Sequence, residues 1–353
     1  MIVQNRLEPP AQPFAALRKM SAQIGRDPML VQAAGGNTSV KHGDVMWIKA
    51  SGTLLADAVA KDIFVPVDLP DMQKALQANE PRADRPAEFL IPGSSQLRPS
   101  IETSLHAVFS QAVVVHVHCV HTLAHAILEN RETLLAQRLE GFEWALVPYA
   151  KPGANLARIV RGLLEENPKI DVIILGNHGL IVAGDSVEET HQLLNKVHEK
   201  LAISPNADAK VDLVGLQSLA SGSAYELPYY LPLHQLALDE KRVQQAIFGS
   251  LYPDHVIFCG IAATALNPNE TLDQAAQRVV ATGAPPPVFV IVPECGVLMR
   301  KDASSGAIAL MRCLTDVLSR VSVDAELIYL STEQNLELLD WDAEKYRQAL
   351  NAK

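Results

Sequence analysis

Cysteine is scarce. Four occur in 353 residues, Cys119, Cys259, Cys295 and Cys313, with no CxxC spacing among them. That pattern excludes a cysteine-built zinc fold and a dense disulfide framework. A chain of this length has enough core without staples, which points to a reducing cytoplasm. Aromatic residues make up 5% of the chain, which argues against a surface made for stacking on bases or sugars. Positive charge is in deficit: 30 Lys and Arg face 40 Asp and Glu, a net charge of −10. Nucleic acid and anionic membrane surfaces are therefore not expected partners. A small anion stays open, since a few backbone amides and one cation can hold a phosphate locally. No apolar run approaches the ~20 residues that cross a bilayer. The opening segment MIVQNRLEPPAQPF lacks the apolar stretch of a signal peptide.

What is present is an ordinary globular composition, 48% hydrophobic and 20% charged, with length for two domains. Ser204-Pro205-Asn206-Ala207-Asp208 follows a helical run and reads as the boundary. The expected division is a first domain over 1–206 and a smaller α/β domain over 207–353. The proline-rich stretch 79–99 reads as a long loop, and 218–232 as a continuation of the linker. In the first domain helices are expected over 14–24, 102–110, 121–129, 155–166 and 186–202. Strands are expected over 36–40, 45–50, 113–118, 172–175 and 180–182. The His42-Gly43-Asp44 turn between the first two predicts a hairpin, hence an antiparallel pair.

The second domain echoes one unit of the first. VIILGNHGLIVAGDS and VIVPECGVLMRKDA overlay at an offset of 117 residues, setting His178 on Cys295, Gly179 on Gly296 and Asp185 on Asp302. No other constant-offset match accompanies it. The reading adopted from sequence is one supersecondary unit recurring with the same turn chemistry, ahead of a degenerate duplication. The second domain lacks the histidine in either case.

The informative local motif is His116-Val117-His118 in AVVVHVHCVH. Residues two apart on a strand point to one face, so both imidazoles emerge side by side. Paired imidazoles can begin a divalent-metal site, although an HxH pair alone carries little specificity. His178, in a turn flanked by Gly176 and Gly179, is the third candidate. Glycines there are expected to let the chain turn tightly and deliver the imidazole to a strand end. Three protein ligands with one open position is the usual pattern of catalytic zinc. A separation beyond about 8 Å between His178 and the pair would exclude a shared ion, since Zn–N bonds are about 2.1 Å. His121 and His125 share a helix face and can also bind metal, but lack an evident third ligand. His191 and His198 read as solvated or packed, and His42, His106, His234 and His255 as structural.

Glu102, at the start of a helix, is either a first-turn acid favoured by the helix dipole or a general acid/base with a raised pKa. Gly35-Gly36-Asn37-Thr38-Ser39 and Ser51-Gly52-Thr53 are either plain turns or anion loops, with Lys49 on the strand entering the second. Neither matches a Walker A loop or a GxGxxG fingerprint.

Taken in order, GGNTSVK (35–41), WIKASGT (47–53), RPSIETSLH (98–106), VVHVHCVHTLAHAI (114–127) and GNHGLIVAGDSVEE (176–189) resemble the class II aldolase/adducin family. The likeness spans most of the first domain, while the second resembles the extra C-terminal region of some longer members. It implies a three-layer αβα fold with a largely antiparallel central sheet, plus the smaller α/β domain. It implies a divalent metal, usually zinc, on His116, His118 and His178, with Glu102 as acid/base. It places substrate phosphate at Gly36, Asn37, Ser51 and Gly52, with Ser100 nearby. Members often form tetramers, so a homo-oligomer is expected. One departure stands out: sugar-phosphate aldolases of the family often carry two serines before the glutamate, and here Ser100 is followed by Ile101. Phosphate can still bind through the other groups, or Lys49 can compensate for the missing hydroxyl, and a substrate with a carboxylate or no anion at that end stays open.

The expected activity is metal-dependent retro-aldol cleavage of a ketose or ketose phosphate, through a metal-stabilised enediolate with Glu102 moving the proton. Decarboxylation or epimerisation of a sugar-acid phosphate would use the same apparatus. A non-catalytic, adducin-like interaction module ranks below these, because this chain keeps all three histidines.

Overall fold

The computed structural model describes residues 9–206 and 211–339. Part of the expected boundary segment, residues 207 and 208, lies outside the described residues, as do 1–8 of the opening segment. The chain divides into two compact units. Among the described residues, one takes 9–122 together with 132–202; the other takes 123–131 together with 203–206 and 211–339.

The first unit is built on a seven-stranded sheet of order β3-β2-β1-β4-β7-β6-β5. Its strands are β1 (Asn37–His42), β2 (Val45–Lys49), β3 (Phe64–Asp68), β4 (Val113–Val117), β5 (Trp144–Val147), β6 (Val172–Leu175) and β7 (Gly179–Gly184). Every pairing is antiparallel except β5 with β6 at one edge. β4, β6 and β7 are buried along their whole length. Strands buried on both faces need a covering layer on each side. One layer is α2 (Leu69–Gln77), α3 (Thr103–Ala107) and α6 (Ala154–Glu166), whose Met72, Leu105 and Val160 share a core with Ile48, Val114 and Ile181. The other is α1 (Ala11–Arg26) and α7 (Val187–Lys200), which pack against β1 and β7. The fold is thus a three-layer αβα sandwich around a largely antiparallel sheet.

Local signals explain the element ends. Ser186 caps α7 by accepting from the Glu189 N–H at 3.2 Å, and Asp68 caps α2 by accepting from Asp71 N–H. The helix expected over 102–110 is shorter: α3 ends at Ala107, and Glu102 stands one residue ahead of it. The expected loop 79–99 holds two 3₁₀ turns, Pro81–Asp84 and Pro86–Phe89, with Phe89 buried. Between β4 and β5 the chain forms α4 (Val120–Ala126) and α5 (Arg131–Arg138).

The second unit carries a four-stranded sheet of order β8-β11-β10-β9. Its elements are α8 (Leu213–Ala220), β8 (Tyr225–Glu226), α9 (Glu240–Ile247), α10 (Pro253–Cys259), β9 (Thr264–Ala265), α11 (Leu272–Val280), β10 (Phe289–Val292), β11 (Gly296–Arg300), α12 (Ser305–Leu318) and α13 (Thr332–Leu339). No helix among the described residues is long and apolar enough to cross a membrane.

Candidate metal centre

The ladder of the first sheet brings four segments to one strand end. Asn37, the first residue of β1, pairs with His116 near the end of β4. Opposed residues project to one face, so the amide and the imidazole rise together. The β6–β7 hairpin turns at residues 176–178 on that same end, with Leu175 paired to Gly179. β2 ends there too: Ser100 N–H donates to Lys49 O at 3.1 Å and Ser51 N–H to Arg98 O at 2.9 Å, which seats the Ser100–Glu102 segment alongside.

His178 reaches the pair as expected. Ring centroids lie 5.0 Å apart for His116 and His118, 4.8 Å for His116 and His178, and 5.3 Å for His118 and His178. One ligand atom from each lies within 4.8 Å of the others, and all three side chains are buried. Among the described residues this is the one group of three His, Cys, Asp or Glu so placed. The means of delivery differs from the expectation. The left-handed residue of the turn is Asn177, at φ 55°, a conformation asparagine tolerates. Gly179 serves close approach: a methyl there would overlap the Val117 carbonyl oxygen and sit 3.2 Å from His116 Cε1.

His116 Nδ1 donates to the Leu180 carbonyl at 3.1 Å. That bond fixes the tautomer and leaves Nε2 to carry the lone pair, the usual arrangement of a metal-ligating histidine. The carboxylate of Glu102 spans the centre, with Oε2 3.5 Å from His116 Nε2 and Oε1 3.5 Å from His178 Nε2. Asn37 Nδ2 donates to Glu102 Oε2 at 2.8 Å and to Ser100 Oγ at 3.2 Å, and the Glu102 N–H donates to the same hydroxyl at 3.2 Å. Three buried imidazoles with a carboxylate beside them make a donor set suited to zinc or a similar divalent ion.

The raised pKa expected for Glu102 is not what its surroundings produce. Burial pushes the carboxyl up, but His116, His178, His118 and the Asn37 amide together outweigh it and hold it at about 2. Glu102 is thus held as an ionised carboxylate by the groups around it.

The residues expected to form an anion pocket cluster at this strand end, with partners inside the protein. Gly36 is buried at φ 63°, and a methyl there would come within 2.9 Å of the His116 carbonyl oxygen. Lys49 is buried and donates to the Ala34 carbonyl at 3.0 Å. Asn37 orients Glu102, a role not read from sequence; the two stand 65 positions apart, so no local spacing announces it. His106 lies one turn beyond Glu102 and is hydrogen-bonded through Nδ1 to Ser39 Oγ at 2.8 Å. Burial keeps it neutral, with its pKa down at about 3. His198 packs on His121 with ring centroids 4.9 Å apart, and its Nδ1 lies 3.3 Å from Cys119 Sγ.

With this fold and centre in place, comparison with known proteins is direct. The chain belongs to the class II aldolase family: the model of the class II aldolase and adducin N-terminal domain matches residues 16–204. Over 181 residues the chain is 29% identical to an uncharacterized oxidoreductase, YuxG, of Bacillus subtilis; the match covers 48% of this chain and 26% of that protein. Over 179 residues it is 27% identical to an L-fuculose phosphate aldolase of Methanococcus maripaludis, covering 50% of this chain and 86% of the relative. Among solved structures it is similar to the N-terminal class II aldolase domain of a conserved protein from Thermoplasma acidophilum. That similarity has a TM-score of 0.46 and 28% identity, and covers 52% of this chain and 90% of the other.

Proposed function

We propose that this protein is a metal-dependent carbon–carbon lyase that cleaves a ketose or ketose phosphate by a retro-aldol route. The observation that carries the reading is the Glu102 carboxylate bridging two imidazoles of a buried three-histidine cluster, 3.5 Å from each. His116, His118 and His178 would hold the cation, with zinc the best match to three nitrogen donors. A divalent ion bound there supplies Lewis-acid polarisation of a substrate carbonyl.

Glu102 moves the proton. In the condensation direction its carboxylate takes a proton from the carbon next to the carbonyl, and in the cleavage direction it returns that proton to the same carbon. Asn37 holds the carboxylate in place, so reorientation of the base is not part of the barrier. Gly36, Asn37, Lys49, Ser51, Gly52 and Ser100 frame the anionic end of the substrate. The relatives named as L-fuculose phosphate aldolases support a phosphorylated sugar. A cytoplasmic homo-oligomer belongs to the same proposal.

Metal content and cleavage of a panel of ketose 1-phosphates, free ketoses and 3-oxo acid phosphates test it together. His116→Ala and His178→Ala should lose metal and cleavage at once. Glu102→Gln should keep metal and lose about 10²–10⁴-fold in proton exchange at the nucleophilic carbon. Unchanged metal in both histidine variants overturns the ligand assignment, and full exchange in Glu102→Gln removes the carboxylate from its role. Release of CO₂ in place of an aldehyde would change the reaction class and leave the site intact.

A further inference from the structure

We propose that the second unit is a degenerate second copy of the half of the first unit that carries the metal hairpin, and that it has lost its metal centre. The sequence alone favoured a lone recurring turn, on a single constant-offset match. The structure extends the match to a whole topology. In the first unit β4, β7, β6 and β5 are neighbours in that order, antiparallel except for the parallel β5–β6 pair. In the second, β8, β11, β10 and β9 are neighbours in that order, antiparallel except for the parallel β9–β10 pair. The connections agree as well. Two α-helices join β4 to β5 and β8 to β9, the latter connection adding a 3₁₀ helix over Leu231–Ala237; one α-helix joins β5 to β6 and β9 to β10, and one follows β7 and β11.

Register and packing repeat at residue level. Leu175 pairs with Gly179, and Val292 with Gly296. The middle residue of each turn is left-handed, Asn177 at φ 55° and Glu294 at φ 64°. Ile173, Leu175 and Ile181 share a core with Ala154, the first residue of α6. Their counterparts Val290, Val292 and Leu298 share a core with Leu272, the first residue of α11. Ser186 caps α7 and Ser304 caps α12, each accepting from a backbone N–H three residues on at 3.2 Å. A chance recurrence of one hairpin and its helix would not also fix a parallel strand on one side and an antiparallel strand on the other.

The ligands are what has gone. Glu226 pairs with Met299 as Val115 pairs with Val182. Continuing that register puts Leu227 where His116 stands and Tyr229 where His118 stands, and the turn puts Cys295 at His178. Leu227 and Cys295 pack against one apolar cluster, and Tyr229 is 96% exposed. β8 also stops after two residues. Val297, the counterpart of Leu180, donates its N–H to His234 Nδ1 at 3.0 Å. That bond puts the ring proton of neutral His234 on Nε2, the reverse of His116. Neutral His234, bonded to this hairpin through Nδ1, thus has no lone pair left to offer a cation.

Naming these positions as former ligands rests on the three-histidine reading of the first unit, whereas the duplication itself rests on topology. The test returns the ligands. Two variants of the full chain, Leu227→His/Tyr229→His with Cys295 kept as the third donor, and the same pair with Cys295→His, are dialysed against zinc and assayed for bound metal. The wild type should hold one zinc per chain and at least one variant two. Both variants folded and still at one would overturn the assignment of the lost positions. A crystal structure of the wild type decides the duplication even where the variants fail to fold. One superposition should lay β8–β11, α11 and α12 on β4–β7, α6 and α7. Either helix on the opposite face of its sheet would overturn the copy. A wild type that binds no zinc would sink the lyase reading and leave that superposition as the arbiter here.

Discussion

The β6–β7 hairpin and the β10–β11 hairpin share a register, a left-handed middle turn residue and a glycine after the turn. Their neighbours differ. β4 runs five residues beside the first and ends in an imidazole pair, whereas β8 runs two beside the second and gives way to a 3₁₀ helix whose His234 meets the hairpin through its side chain. The contrast teaches where the chemistry resides. The hairpin fixes a position in space, but the adjoining strand and the Ser100–Glu102 segment supply the imidazole pair and the carboxylate gathered there.

Alanine at the two glycines probes the contrast most strongly. A methyl at Gly179 runs into the Val117 backbone oxygen, while one at Gly296 meets side-chain atoms, His234 Nδ1 and Leu216 Cδ1, each at 2.6 Å. Gly179→Ala should cost about 1–3 kcal/mol, the range for overpacking, and Gly296→Ala at least as much, because its φ of 152° strains any L residue in addition to the overlap. Urea-transition midpoints of the two variants give the comparison, and the reverse order would break it.

Acid sensitivity should come next in size. Burial brings the His255 pKa down to about 4 in the second unit. The unfolded chain binds that proton near pH 6.5 and the folded chain only near 4, so stability falls as pH drops through this window, by about 1.4 kcal/mol per unit at most. Above pH 6.5 the group contributes no slope. His255→Asn should lessen the dependence of the urea midpoint between pH 6.5 and 4, with buried His106 keeping its share of the slope, and an unaltered slope would remove His255 as a source. The smallest effect is at the second turn. Glu294 is exposed and left-handed, and Glu294→Asn gives it the residue type of the first turn. That change should add up to about 1 kcal/mol, read as a raised melting temperature, and a loss of stability would show that the two turns differ.

Much of the centre was legible because its signals are local. The HxH alternation, the β1–β2 hairpin and the Ser186 cap each depend on residues within a few positions of one another. The edge strands were not legible. β3 carries Pro66, tolerated because an edge strand leaves one row of N–H groups unused, and β5 has only four residues. Nor could the low pKa of Glu102 be read, since it depends on three imidazoles gathered from distant segments. The second unit shows the same limit. Its likeness to the first survives in strand order and packing, after the sequence match has shrunk to one hairpin.

The path of the chain carries a practical consequence. Residues 123–131 leave the first unit just after the strand that bears His116 and join the second, where the Glu129 N–H donates to Glu326 O and the Ile328 N–H to Ile127 O. No single cut can therefore yield two self-contained pieces. A truncation placed near residue 206 would leave a buried strip of polypeptide, Ile127 included, stripped of the hydrogen-bonding neighbours it folds against.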